Sequence, residues 1–382
     1  MVNRATPEPL VEALCDPSSA ARANAPQWEA LVRHARGSNL LGVLAERFVS
    51  GSLLDAVPPA PRAHLVAARV RAHAQAKATM RELRAIAHAL GDVEAPVILL
   101  KGAAYLCAGL PVARGRVFSD VDILVPKARL AEVEAALMLS GFVTSHPHPY
   151  DQRYYREWMH ELPPMQHVQR QTVLDVHHAL VPETSRPHPD SALLVADATP
   201  LPADVSADLA AGQPGVPIRF AVLAPADMAI HCATHLFCDE DFSHATRDLV
   251  DFDSLVRHFA VAQPDFWERL LPRARTLQLA RPLWYALHWS ARVHRTPVPP
   301  DILREACRDA PASPLRWLMN GLLGPALRPT RGRASTRWAR RALYVRGHWL
   351  KMPPHLLAWH LTVKAFRREN VSLPENADGN QA

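Results

Sequence analysis

The sequence predicts an α+β protein, in which a core of alternating strands and helices lies between helical N- and C-terminal regions. Two observations predict this organisation. Short β-type runs alternate with helical segments between residues 96 and 177, whereas apolar residues recur at helical spacing on both sides of that stretch. The composition fits a folded chain, because 48% of the 382 residues are hydrophobic and only 21% are charged.

The N-terminal region, residues 1–90, is predicted to be helical. Alanine, leucine, arginine and glutamate dominate it, and prolines at positions 58, 59 and 61 interrupt it. From Arg62 to Leu90 the apolar residues have helical spacing, which predicts one long helix. Gly91 follows directly and is expected to end this helix, as glycine commonly does.

The predicted core, residues 91–222, contains the alternating segments. Its β-type runs are each bounded by a helical pattern or by turn residues. The expected elements are a strand over 96–100, a helix over 103–108, a strand over 121–125, a helix over 128–140 and a strand over 172–177. Residues 145–171 are rich in His, Tyr, Arg and Pro and are expected to form loop with short elements. A last strand is expected near 218–220.

Three regions follow: a helical domain over 223–320, a basic, aromatic region over 321–370 and a disordered tail over 371–382. The net charge of +6 is uneven, because residues 328–368 contain eleven Lys or Arg and no Asp or Glu. Such a segment fits an anionic partner. Three interpretations stay open: a helical subdomain with a basic exterior, a surface that binds anionic lipid headgroups through residues 328–368, and a nucleic-acid contact.

Paired carboxylates occur in the second predicted strand. Asp120 and Asp122 are two residues apart and therefore project from one face. Two carboxylates about 5 Å apart repel by roughly 3 kcal/mol at an effective dielectric of 20, and a divalent cation would offset that cost. Oxygen-only ligands favour Mg²⁺ or Mn²⁺. Asp175 and His177 share a face of the later strand, so a third carboxylate converges if the two strands are neighbours.

A candidate phosphate-binding turn precedes these strands. Lys101-Gly102 lies where a strand ends and a helix begins, and helix N-termini bind phosphate through free N–H groups. Lys101 adds a positive charge there. Arg116 and Ser119, just before the acidic strand, are further candidates for contact with a nucleotide.

The later helical segment contains residues with two interpretations each. His231, His235 and Cys238 share one helix face at zinc-ligand spacing, although a zinc site needs a fourth ligand. The alternative places them in the core or beside the cleft. Arg247 is four residues before Asp251 and forms either a surface ion pair with it or a substrate-positioning group. His177, in the same way, is either a packed residue or a substrate-positioning one.

Together these segments resemble the uncharacterised bacterial nucleotidyltransferase family of the DNA polymerase β-like nucleotidyltransferase superfamily. The resemblance covers roughly residues 60–260 and lies in LLKGAAYL, RGRVFSDVDILV, VLDVHHAL, LAPADMAIHCATHLF and RDLVDFDSLV. It implies a mixed sheet with flanking helices, then a helical domain, with NTP and Mg²⁺ as ligands. By that match, Asp120 and Asp122 correspond to the paired metal carboxylates and Asp175 to the third. Lys101-Gly102 stands where most of the superfamily has Gly-Ser.

The predicted function is Mg²⁺-dependent (or Mn²⁺-dependent) nucleotidyl transfer. A nucleoside monophosphate would move from an NTP, expected to be ATP, to a hydroxyl-type acceptor, which is a small molecule, a protein or an RNA end. Pyrophosphate would be released. The departure at Lys101-Gly102 motivates an alternative, a catalytically inactive nucleotide-binding regulator or scaffold at a membrane surface. A polymerase that modifies nucleic-acid ends is a third possibility.

The sequence favours a cytoplasmic protein. Its five cysteines include no CxxC pair, which does not indicate a disulfide framework. The N-terminus lacks the basic-then-apolar pattern of a signal peptide, and no apolar run approaches the ~18 residues of a membrane span. Peripheral association with the inner membrane surface is expected if the basic region binds lipid.

Overall fold

The computed structural model describes residues 8–145, 148–211, 219–329 and 334–359. The helices are α1 (Pro9–Cys15), α2 (Ala25–Gly37), α3 (Leu41–Ser50), α4 (Pro59–Ala89), α5 (Lys101–Cys107), α6 (Leu130–Leu139), α7 (Pro149–Trp158), α8 (Ser191–Ala196), α9 (Ala203–Leu209), α10 (Pro225–Cys238), α11 (Ala245–Ala262), α12 (Phe266–Thr276), α13 (Ala280–Val293), α14 (Pro300–Ala306), α15 (Ser313–Ala326) and α16 (Ala334–Lys351). The strands are β1 (Val97–Leu100), β2 (Val121–Leu124), β3 (Phe142–Thr144), β4 (Met165–His167), β5 (Val173–His177), β6 (Thr199–Pro200) and β7 (Phe220–Val222).

The seven strands form one mixed sheet in the order β3-β4-β5-β2-β1-β7-β6. β1 runs antiparallel to β2 and parallel to β7, and β2 runs parallel to β5. All four residues of β1 and of β2 are buried, which explains their nearly continuous apolar sequence. The α+β fold with a mixed sheet, flanking helices and helical termini is confirmed.

The N-terminal helices form a small core of their own. Trp28 and Phe48 pack against each other in it, and the first turns of α4 contribute Leu65. α4 is the predicted long helix and begins three residues earlier than expected. Its start at Pro59 is favourable, because proline is well suited to the first helical turn.

A larger core joins the sheet to the helices that follow it. It contains residues of β1, β2 and β5 together with apolar faces of α10, α11 and α13. α16 docks on this assembly through Gly347, where an added Cβ would lie 2.5 Å from the Cα of Glu240. The helical segment after the sheet therefore packs directly on the part of the chain that carries the acidic residues.

Several boundaries differ from the predictions. α5 begins at Lys101 rather than at residue 103. The strand expected near 218–220 is found as β7 over Phe220–Val222, and residue 218 lies outside the described residues. The stretch over 145–171, expected to be loop with short elements, contains α7 and β4. The predicted tail over 371–382 lies outside the described residues. No helix in the described ranges is both long enough and apolar enough to span a bilayer.

Candidate active site

Three carboxylates converge at one edge of the central strands. In the pairing of β2 with β5, Asp122 lies opposite Asp175, and Asp120 immediately precedes β2. Each of the three offers an oxygen, and these oxygens lie within 4.8 Å of one another. β2 and β5 are therefore neighbouring strands, as the convergence of the three carboxylates requires.

Asp122 is the most buried of the three and has two close donors. The Lys101 ammonium lies 2.7 Å from its Oδ1, and Nε2 of His177 lies 3.2 Å from the same oxygen. Burial alone would raise the pKa of Asp122, but the charge of Lys101 and the contact with His177 hold it well below its usual range. Because both donors contact Oδ1, the second oxygen of this carboxylate can still accept another ligand.

Asp175 has the opposite electrostatic environment. Burial, and then the charges of Asp122 and Glu161, raise its pKa to about 7. Its Oδ1 is buried and has no hydrogen-bond partner among the described residues. Buried carboxylate oxygens are normally satisfied, so an unpartnered one beside two further carboxylates indicates a place for a cation. The three residues fit a hard divalent ion such as Mg²⁺ or Mn²⁺.

Lys101 is both the first residue of α5 and the partner of Asp122. Its φ of +45° is unusual for a residue with a side chain and directs the chain sharply from β1 into the helix. Burial would lower the pKa of its ammonium, but the charge of Asp122 raises it well above the usual range. The Lys101 side chain therefore stays protonated at the acidic cluster.

Gly102 provides room for a buried arginine. A Cβ at this position would lie 2.5 Å from Nη1 of Arg116 and 2.8 Å from the ring of Phe118. Arg116 is buried, and its Nε donates to Asp251 in α11 over 3.0 Å. The structure thus places both residues where the sheet meets α11, and nucleotide contact by either stays a prediction.

Ser119 and Arg247 contact carboxylates near the site. The exposed Ser119 hydroxyl donates to Oδ1 of Asp120 over 2.7 Å. Arg247 donates to Asp248 rather than to Asp251, so the expected ion pair four residues apart is wrong. Asp251 instead contacts Arg116, and both side chains are buried. Roles for Ser119 and Arg247 in binding remain predictions.

Glu161 is a residue of the site that no sequence pattern indicated, and it contacts the ring of His177. Nδ1 of His177 is 3.2 Å from Glu161, while Nε2 of the same ring faces Asp122. The ring of His160 lies 5.2 Å from that of His177. The backbones of Glu161 and His177 also form one isolated antiparallel β-bridge. No local pattern in the loop-like stretch over 145–171 indicated this contact, because it depends on tertiary pairing.

A cleft of about 750 Å³ opens beside the cluster. Lys101, Asp175 and His177 line its sheet side, and side chains of α10, α13, α15 and α16 line the opposite wall. His235 and Cys238 face this cleft, whereas His231 is buried. Among the described residues, these three do not bring their ligand atoms within 4.8 Å of one another, which disfavours the zinc interpretation.

Comparison with known proteins identifies one related family. A family described as "Uncharacterised nucleotidyltransferase" matches residues 24–294, which is more than two thirds of the chain and includes every element from α2 to α13. No protein of curated function and no solved structure matches the chain. The match ends before α14, so the last two helices of the cleft wall lie beyond it.

Proposed function

This chain belongs to the uncharacterised nucleotidyltransferase family, and from that premise we propose that it transfers a nucleoside monophosphate from an NTP, expected to be ATP, to an acceptor hydroxyl. The observation that carries the proposal is the convergence of Asp120, Asp122 and Asp175 with one buried oxygen unpartnered. Such a cluster is costly unless a cation occupies it, and phosphoryl transfer uses carboxylate-held cations.

Asp120, Asp122 and Asp175 would hold the divalent ion, with Mg²⁺ or Mn²⁺ expected from the oxygen ligands. When bound, the ion neutralises phosphate charge and assists ionisation of the attacking hydroxyl. In the reaction, the acceptor oxygen forms a bond to the α-phosphorus, and the bond to the bridging oxygen breaks. Pyrophosphate leaves with that electron pair, and the acceptor proton passes to water.

The remaining residues of the cluster hold the carboxylates in position. His177 bonds Asp122 through one ring nitrogen, and Glu161 bonds the other, which fixes the ring in one orientation. Lys101 would balance the charge of Asp122 before substrate binds and attract phosphate oxygens afterwards. The chain thereby preorganises the site without large movements of these side chains.

The proposal is tested with α-³²P-labelled NTPs, Mg²⁺ or Mn²⁺ and a cell extract as the source of acceptor. We expect Asp122→Asn to lower transfer of label by at least about 100-fold, as removal of one preorganised electrostatic group does in other enzymes. Asp92→Asn, at an exposed aspartate before β1, is the matched control and should transfer label normally. Undiminished transfer by Asp122→Asn would disprove the assignment.

One observation favours a second candidate, a nucleotide-binding regulator without turnover. The Lys101 ammonium already neutralises Asp122 at 2.7 Å, so a cation must compete with it for this carboxylate. Metal-dependent binding of NTP with no transfer to any acceptor would support this role. In this second role, the protein would be located in the cytoplasm and at the inner surface of the membrane.

The membrane part of that alternative rests on the outer face of α16. Trp338, Tyr344 and Val345 are exposed there, near the exposed Arg337 and Arg341. Helices with aromatic and basic side chains on one surface bind anionic bilayers. Cosedimentation with phosphatidylglycerol vesicles but not with phosphatidylcholine vesicles would support it, and no sedimentation with either would refute it.

A further inference from the structure

The cleft wall opposite the acidic cluster contains two arginines that no carboxylate neutralises. Arg281 is the second residue of α13, and Arg346 lies near the end of α16. Both side chains line the cleft. Neither forms an ion pair with an Asp or Glu of the described residues. Other cations behave differently, since Arg116 and Arg273 outside this cleft and Lys351 within it each pair with a carboxylate.

Arg346 is held in a defined orientation. Its Nη1 donates to the backbone carbonyl of Phe237 over 2.8 Å, and its guanidinium lies 5.9 Å from the centre of the Tyr285 ring. This leaves the other nitrogens of a planar, five-donor group for a further partner. A guanidinium fixed by one backbone contact is preorganised for binding.

Arg281 supplies the second positive charge. Its Nε donates to the backbone carbonyl of Asp309 over 2.7 Å, and the side chain lies at the exposed rim of the cleft. Burial is the main cause that lowers the pKa of Arg346, and the positive charge of Arg281 is a smaller one in the same direction. Because both guanidinium groups line the same cleft, an anion bound there would interact favourably with two positive charges.

We propose that Arg281 and Arg346 form an anion-binding subsite, which holds a phosphate or carboxylate group of the acceptor while the acceptor hydroxyl faces Asp175. Guanidinium groups match the geometry of both anions. A cleft of about 750 Å³ is large enough for a small molecule between the two walls. Assignment of the anion to the acceptor rests on the proposed function, whereas binding of an anion does not.

The subsite combines Arg281, which lies within the matched family segment, with Arg346 from a helix after that segment. The family match ends at residue 294, and Arg346 lies beyond it. Lys351 anchors the same helix by bonding Asp239 over 2.7 Å, and the Thr184 hydroxyl donates to the Lys351 carbonyl. In the proposed subsite, binding of the acceptor would thus depend on a helix that lies beyond the matched segment.

The subsite is tested with inorganic phosphate and, separately, acetate, binding being measured by ligand-observed NMR on the full chain without metal. We expect Arg346→Gln and Arg281→Gln each to weaken phosphate binding about tenfold or more, since each removes charge-assisted hydrogen bonds. Arg341→Gln, an exposed arginine on the same helix, is the control and should change it less than twofold. Preference for phosphate indicates a phosphorylated acceptor, and preference for acetate indicates a carboxylate.

Two measurements keep the result interpretable. Because Arg346 is partly buried, the unfolding midpoint of each variant is recorded, and the exposed Arg281 provides a variant that does not disturb packing. Asp122→Asn should retain phosphate binding, which separates this subsite from the transfer reaction. Phosphate binding that both arginine variants leave unchanged, or that Arg341→Gln weakens equally, would overturn the proposal. If the parent protein transferred no label to any acceptor while the arginine-dependent phosphate binding persisted, the proposed function would be refuted and the subsite would stand.

Discussion

Asp122 and Asp175 face each other across neighbouring strands, yet their electrostatic environments differ sharply. Lys101 and His177 both contact Asp122, which keeps it ionised, whereas burial and nearby negative charge raise the pKa of Asp175. Asp122 and Asp175 therefore differ in proton affinity, although both could bind the same cation. The alternation of residues in a strand was enough to predict that Asp120 and Asp122 converge. It could not predict Glu161, which contacts His177 only after the sheet has formed.

Gly102 offers a test of packing at the site. Gly102→Ala should lower the free energy of unfolding by about 1–3 kcal/mol, because the added Cβ would lie 2.5 Å from Arg116 and 2.8 Å from Phe118. Gly321→Ala in α15 is the control. Its Cβ would meet nothing within 4 Å, so it should leave stability unchanged or raise it by up to about 1 kcal/mol. Urea unfolding of both variants measures the difference, and equal stabilities would contradict the packing described here.

The elements that the sequence predicted well are those with a strong local pattern. β1, β2 and β5 carry buried apolar runs, and α4 carries helical spacing over many turns. β3 was missed because it has three residues, only one of them buried. α7 was missed because none of its residues is buried, so its sequence has no apolar face to recognise.

Contacts between elements were the least predictable part. One of the two interpretations of Arg247 paired it with Asp251 within α11, but the partner of Asp251 is Arg116, 135 residues earlier in the chain. The spacing of residues in a helix shows which of them share a face. It does not show which other element of the structure packs against that face. The resulting buried ion pair joins the loop before β2 to the helical domain.

This ion pair predicts a large stability effect. Asp251→Asn should lower the free energy of unfolding by about 3–5 kcal/mol, because it leaves the Arg116 guanidinium buried without its counter-charge. Asp265→Asn removes an exposed partner of Arg269 and should cost no more than about 1 kcal/mol. Denaturant unfolding compares the two. A loss for Asp251→Asn as small as that for Asp265→Asn would show that the pair does not connect the two parts energetically.

The whole molecule is expected to lose stability in mild acid through His294. Burial lowers the pKa of this imidazole to about 4, against about 6.5 for an unfolded chain. The unfolded state therefore binds the extra proton between these values. The contribution to stability is complete above about pH 6.5 and falls by up to about 3 kcal/mol as the pH drops towards 4.

His294→Gln tests this dependence. The variant should show a shallower decline of unfolding free energy between pH 6.5 and 4, because the titrating group is gone. His88→Gln, at an exposed position in the last turn of α4, should keep the decline of the parent protein. Parallel pH profiles for His294→Gln and the parent would rule out His294 as the source.

The mixed sheet, the helices that follow it and α16 surround one cleft. The order of strands and helices along the chain predicted the sheet, and the acidic motifs predicted its functional edge. The inward docking of α16 was not predictable, since a segment rich in Arg and Trp is equally suited to solvent, lipid or nucleic acid. Only its contacts, Gly347 on Glu240 and Lys351 on Asp239, show that it closes the cleft.

The position of a radioactive label shows which phosphorus of the nucleotide is attacked. Parallel reactions contain ATP labelled with ³²P at the α- or the γ-position, Mg²⁺ and the same acceptor extract. Nucleotidyl transfer predicts that only the α-label reaches an acceptor, that the γ-label appears in pyrophosphate, and that Asp122→Asn lowers both at least about 100-fold. Transfer of the γ-label to an acceptor, or its release as inorganic phosphate while the α-label stays in ADP, each beyond the level of the extract alone, would exclude nucleotidyl transfer.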